Sequence, residues 1–108
     1  MMNERMTSER IAKSLNRFRI ARVEARIHDQ RLAPGCDIFA GFIGRMGFTV
    51  THHNPTGLVE ASVTVPGERA QTGHVAALCR HMGMPEPDEA LRMRSGGLYW
   101  VVQEGYDA

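Results

Sequence analysis

An α+β fold built on a four-stranded antiparallel sheet is the architecture this sequence predicts, and three features predict it. Residues 48–65 alternate apolar and polar positions on either side of the turn segment Asn54-Pro55-Thr56-Gly57. Residues 98–104 are rich in aromatic and β-branched side chains, immediately after the turn segment Ser95-Gly96-Gly97. Between them, residues 68–83 carry apolar side chains at helical spacing. The predicted order is a long helix, a short helix, a β-hairpin, a helix and a second β-hairpin. Helices would then cover one sheet in a single domain spanning residues 1–108.

The first helix is expected over residues 8–33, after a frayed start at 1–7. Thr7 or Ser8 can cap it, and Glu9 suits its positive end. Pro34-Gly35 stop it. Ile11, Leu15, Phe18 and Ala25 share one face, with Arg22 among them. Ile20, Val23 and Ile27 lie on nearly the opposite face. A helix apolar on two sides needs two surfaces to bury against, so Ile20, Val23 and Ile27 are expected to form a homodimer contact. A competing reading exists for residues 17–29, which nearly alternate and could form a bulged strand. Alanine, arginine and glutamate favour the helix.

A short second helix is expected over 37–46, capped by Asp37, with Ile38, Phe39, Phe42, Ile43 and Met46 as its apolar stripe. Gly41 and Gly44 would each cost it about 1 kcal/mol relative to alanine, so it would depend on packing. In the first hairpin Val59, Ala61 and Val63 point to the core, and Leu58, Glu60, Ser62 and Thr64 point away. The third helix presents Val75, Leu78, Cys79 and Met82 on one face and ends at Gly83. The last hairpin has strands at 90–94 and 98–104. Leu98, Trp100 and Val102 make its core set, leaving Tyr99 and Val101 outward beside Met93 or the arginines.

The chain has 108 residues, 43% of them hydrophobic and 23% charged, with a net charge of +1. A near-neutral chain excludes a strongly basic nucleic-acid coat as the dominant theme. The charge is uneven all the same. Residues 1–33 hold eight of the thirteen Lys/Arg and four of the twelve Asp/Glu, and the remainder is net acidic. No run approaches the roughly 18 apolar residues of a membrane span. Neither does the start of the chain carry the apolar core of a secretion signal. A cytoplasmic protein with two free buried thiols, Cys36 and Cys79, is the expectation.

Gly44-Arg45-Met46-Gly47 resembles the G-x-x-G loop of the KH domain, an RNA-binding module that places an apolar helix before the loop and a basic residue within it. The resemblance implies backbone amides and Arg45 gripping phosphates. It covers about ten residues and departs after Gly47, where a KH domain continues into a helix. Here Thr49, Val50 and Thr51 are β-branched and Pro55 follows, so a helix end running into a strand is the expected structure.

Catalytic and metal chemistry find little support. His74 and His81 share a helical face but lie about 10 Å apart along it, too far for one zinc ion. Neither a metal nor a cofactor is expected. His52 and His53 point to opposite sheet faces, and either can pair with Glu60 across the hairpin. Cys36, placed just before a helix N-terminus, would be a nucleophile with a lowered pKa. A small-molecule enzyme or ligand carrier using Cys36, His52 and His53 is therefore a third reading.

The leading expectation is a small non-enzymatic regulatory protein that engages or inhibits a macromolecule as a homodimer. Its partner contacts would come from Arg17, Arg19, Arg22, Arg26 and Arg45, and from Arg92, Arg94 and Tyr99 on the last hairpin. The alternative is nucleic-acid binding through the arginine-rich first helix and the Gly44–Gly47 loop.

Overall fold

The structure, a computed structural model, describes residues 5–17, 24–27 and 35–106. In chain order it contains α1 (Ser8–Arg17), β1 (Glu24–Ile27), β2 (Cys36–Ile43), β3 (Met46–His53), β4 (Leu58–Thr64), α2 (Thr72–Met82), β5 (Leu91–Arg92) and β6 (Leu98–Gln103). Among the described residues, six strands form one sheet ordered β1-β2-β3-β4-β6-β5. Every neighbouring pair is antiparallel. Five strands have four or more residues, and β5 has two. The α+β class holds; the sheet is wider than the four strands expected.

The added width comes from two corrections. The expected helix over 8–33 ends at Arg17, and residues 24–27 are a strand at the sheet edge. Pairing with β2 outweighs the helical preference of alanine, arginine and glutamate there, since propensity is a weak prior against tertiary context. The expected helix over 37–46 is also absent. Its residues form β2, a two-residue turn at Gly44-Arg45, and the start of β3. Gly44 has φ of 63°, the left-handed geometry that a tight hairpin turn takes from glycine. The G-x-x-G segment is thus a hairpin tip, and the KH-like reading of it is corrected: no helix precedes it.

The remaining elements follow the predicted pattern. The turn at 54–57 joins β3 to β4, with Val59, Ala61 and Val63 all buried. Helix α2 buries Val75, Leu78, Cys79 and Met82 and ends at Gly83 with φ of 66°. The strand expected at 90–94 shortens to Leu91–Arg92, followed by a turn in which the Gly96 amide donates to the Met93 carbonyl at 2.9 Å. The Arg92 guanidinium donates to the carbonyls of Ala70 and Gly96, both at 2.7 Å.

Both helices pack on one sheet face. Ile11 of α1 and the buried row of α2 join Phe39, Phe48, Val50, Val59, Val63, Leu98 and Trp100 in one core. Thr7 caps α1 by accepting from the Arg10 amide at 3.2 Å. Ser8 is thereby free to reach the sheet. The opposite face of the sheet meets no described helix, and that asymmetry positions everything below.

Candidate functional site

Strand register arranges the helix-free face in rows. Tyr99, Ser62, Thr49 and Ala40 lie side by side across β6, β4, β3 and β2. Val101, Glu60, Thr51 and Ile38 form the next row, and Leu58, His53 and Cys36 the third. Side chains alternate faces along a strand, so this face receives the hydroxyl residues that the core excludes.

At one end of this face three groups form a chain. Cys36 Sγ lies 2.9 Å from His53 Nδ1, and His53 Nε2 lies 2.9 Å from Glu60 Oε1. A carboxylate only accepts, so Nε2 carries the hydrogen and Nδ1 accepts from the thiol. Thiol, imidazole and carboxylate in this order are the parts of an activated nucleophile. The surroundings withhold the activation. Cys36 is 2% exposed. Its pKa is raised, first by burial and then by the negative charges of Asp37 and Glu60. The expected lowering of the Cys36 pKa is therefore corrected: Cys36 opens strand β2, and the residues after it form that strand, not a helix. Both Cys36 and Cys79 are free and buried, as expected. The chain Cys36–His53–Glu60 ties β2, β3 and β4 together in the fold.

A second set lies on the core side of the same strands. Ser8 Oγ donates to Asp37 Oδ2 at 2.6 Å and sits 2.9 Å from His52 Nδ1. Asn54 Nδ2 also donates to Asp37 Oδ2, at 3.1 Å. The Ser8 hydrogen is committed to Asp37, so its oxygen accepts from His52. Asp37 is expected as a helix cap from the sequence; instead it anchors α1 to β2. His74 Nδ1 accepts from the Gln71 amide at 2.8 Å, a capping role at the start of α2.

Farther along the helix-free face, Thr49, Thr51, Glu60, Ser62, Met93 and Tyr99 line an open depression of about 270 Å³. Glu60 belongs to both features, with Oε1 on His53 and its body on the depression wall. Around it lie large apolar side chains in water. Phe42 is 54% exposed, Leu91 56% and Val101 39%. Register places all three on this face: Phe42 opposite Gly47, Leu91 opposite Tyr99, Val101 opposite Glu60.

The expected contact residues distribute unevenly. Tyr99 lines the depression beside Met93. Arg45 stands exposed at the β2–β3 tip, its Nη2 3.5 Å from the Pro66 carbonyl. Arg94 is exposed in the turn before β6, and Arg92 is a brace for that turn. Arg17 is the last residue of α1, and Arg26 and Ile27 fall in β1. Arg19, Ile20, Arg22 and Val23 lie outside the described residues. Sequence reasoning passed over Thr49, Thr51 and Met93 as site residues. The signal for Thr49 and Thr51 is the outward phase of an alternating strand, shared with Ser62 and Glu60, and the signal for Met93 is its place beside the outward Tyr99.

Among the described residues, no group of three or more His, Cys, Asp or Glu side chains is placed to hold a metal ion. No described helix is long and apolar enough to cross a membrane. Comparison with protein-family models, with curated proteins and with solved structures finds no match.

Proposed function

We propose that this chain is a non-enzymatic binding protein that engages a macromolecular partner through the helix-free face of its sheet. One observation carries the reading. Among the described residues, three of the four large apolar side chains left in water, Phe42, Leu91 and Val101, share that face. Single exposed apolar residues are ordinary, whereas several on one face beside polar groups mark an interaction surface.

The test is the mass of the native particle from its own cell, compared between wild type and Ser62→Lys. Ser62 is central in the face, and a lysine there sets a long charged side chain against any docked surface. The expected result is mass above one chain in the wild type and its loss in Ser62→Lys. Glu89→Lys, at an exposed position in the connector before β5, serves as the charge control and keeps the extra mass. A bare chain in both, or extra mass indifferent to Ser62→Lys, sinks the proposal. Excess equal to one further chain reports self-association. Strand β1 stands at the sheet edge, and an open edge accepts another strand.

A second reading, nucleic-acid binding, draws on the opposite end of the sheet. Arg45 at the β2–β3 tip reaches Pro66. The Ala70 amide bonds Gly96, which stands beside Arg69 and in the turn that holds Arg94. Topology thus gathers Arg45, Arg69 and Arg94 at one end. Phosphate contacts there would give an affinity that falls steeply as salt rises. A salt-insensitive complex removes this reading.

A further inference from the structure

We infer that the depression on the helix-free face is a receptor for an arginine side chain of a protein partner. This rests on the docking role proposed for that face and names what the face recognises.

Charge decides the class of ligand. Among the described residues, Glu60 is the one charged residue on the depression wall. Its Oε1 accepts from His53, while its second carboxylate oxygen takes no bond within the protein from the described residues. An anion would meet uncompensated negative charge. A neutral apolar group would strip water from that carboxylate and from the hydroxyls of Thr49, Thr51 and Ser62 without replacing its hydrogen bonds. A cation that donates several hydrogen bonds satisfies all of these groups.

Shape decides which cation. A guanidinium offers five N–H donors in one plane and two flat faces of weak hydration. The free Glu60 oxygen and the hydroxyls can accept at its edge, each hydroxyl having lone pairs to spare. Tyr99 and Met93 supply a ring and a polarizable sulfur for its faces. An ammonium is a compact, strongly hydrated charge with no flat face to lay on Tyr99. The volume of about 270 Å³ lies just below the range of drug-sized pockets, which suits a side-chain head better than a whole metabolite. Exposed Leu91 and Val101 lie next to Tyr99 and Glu60 in the strand pairing. They give the surroundings of that arginine something apolar to cover, the arrangement in which a buried arginine anchors an interface.

The experiment titrates the whole labelled chain with N-acetyl-arginine methylamide and follows backbone amides by NMR. Saturable shifts at Thr49, Thr51, Ser62 and Tyr99 are expected, with Kd of roughly millimolar order for so small a probe. The citrulline analogue, equal in shape but neutral, should bind at least about tenfold more weakly, as loss of a charge-assisted bond implies. Glu60→Gln should weaken the arginine probe by a similar factor. If Glu60→Gln disturbs the spectrum globally, Tyr99→Leu replaces it, and several-fold weaker binding is expected. The inference is overturned by equal binding of citrulline, by equal or tighter binding of the lysine analogue, by variants that bind undiminished, or by no saturable shift. The two levels separate cleanly. A partner lost on Ser62→Lys but held fully by Glu60→Gln defeats the arginine receptor and leaves the docking face standing.

Discussion

Ser8, the first residue of α1, gives its hydroxyl hydrogen to Asp37 near the start of β2 across 2.6 Å, so that the start of a helix is pinned to the strand beside the sheet edge. The bond holds the Asp37 carboxyl below its ordinary pKa, helped by Asn54 and by the nearby His52 and opposed by partial burial. A carboxylate with a lowered folded pKa binds fewer protons when folded than when unfolded. Its stabilisation is therefore present above the unfolded value of about 3.9 and is lost as pH falls through the folded value. Asp37→Asn should cost at most about 1 kcal/mol at neutral pH, since the site is partly solvated. Urea melts at pH 7 and near pH 2.5 check this. A difference between variant and wild type that stays constant across the two would refute it.

Gly44 allows a prediction in which the two possible structures differ in sign. A Cβ there would touch nothing, so the whole effect of Gly44→Ala is conformational. At φ of 63° alanine should destabilise by about 1–2 kcal/mol, whereas in the interior of a helix it would stabilise by about 1. Gly44→Asn should be tolerated better, because asparagine enters the left-handed region more readily. Thermal melts of both variants decide the matter, and a stabilised Gly44→Ala would contradict the hairpin tip.

Gly97 is required for a different reason. A Cβ added there would stand 2.6 Å from the Val63 carbonyl oxygen and 2.7 Å from Thr64 Cγ2. The Thr64 methyl can turn aside by side-chain rotation, but the Val63 carbonyl cannot retreat without opening the β4–β6 ladder. Gly97→Ala should cost roughly 1–3 kcal/mol, the usual range for overpacking. Denaturant unfolding reads this directly, and an unchanged midpoint would mean that the two strands are not packed this closely.

Thiol labelling tests the resting state of Cys36. Burial pushes the Cys79 thiol up to about 11, and Cys36 is raised as well. Both are expected to resist iodoacetamide at pH 8 in the folded chain and to react once it is denatured. Rapid native alkylation at Cys36 alone would show an open thiol on a primed imidazole. It would return the enzymatic reading to first place.

Legibility from sequence followed how one-sided each element is. Strands β3 and β4 alternate cleanly because one face is core and the other is hydroxyl-rich, and α2 declares itself through Val75, Leu78, Cys79 and Met82. In β2 the period is masked. Phe39 points inward and Phe42 outward, with Ile38 and Ile43 similarly divided, so a strand apolar on both faces passes for a helical stripe. The two glycines that made that helix costly were the warning. Strand β1 was visible only as the rejected alternative, since its four residues suit a helix until β2 offers a partner. The site inherits the same division. That one of His52 and His53 pairs with Glu60 follows from the hairpin alone, and the strand register selects His53. The arrival of Cys36 does not, because it requires β2 to be a strand beside β3.

Arg5 lies over the Tyr106 ring at 4.0 Å and donates to the Glu104 carbonyl, and Met6 exchanges two hydrogen bonds with Gln103. The earliest and latest described segments are therefore neighbours, and the fold closes on itself like a ring fastened at one clasp. A permuted version, joined by a short flexible linker across the clasp and cut at the Gly44-Arg45 tip, would keep every strand beside its present neighbour. The order in which the pieces are synthesised is thereby separable from the shape they reach.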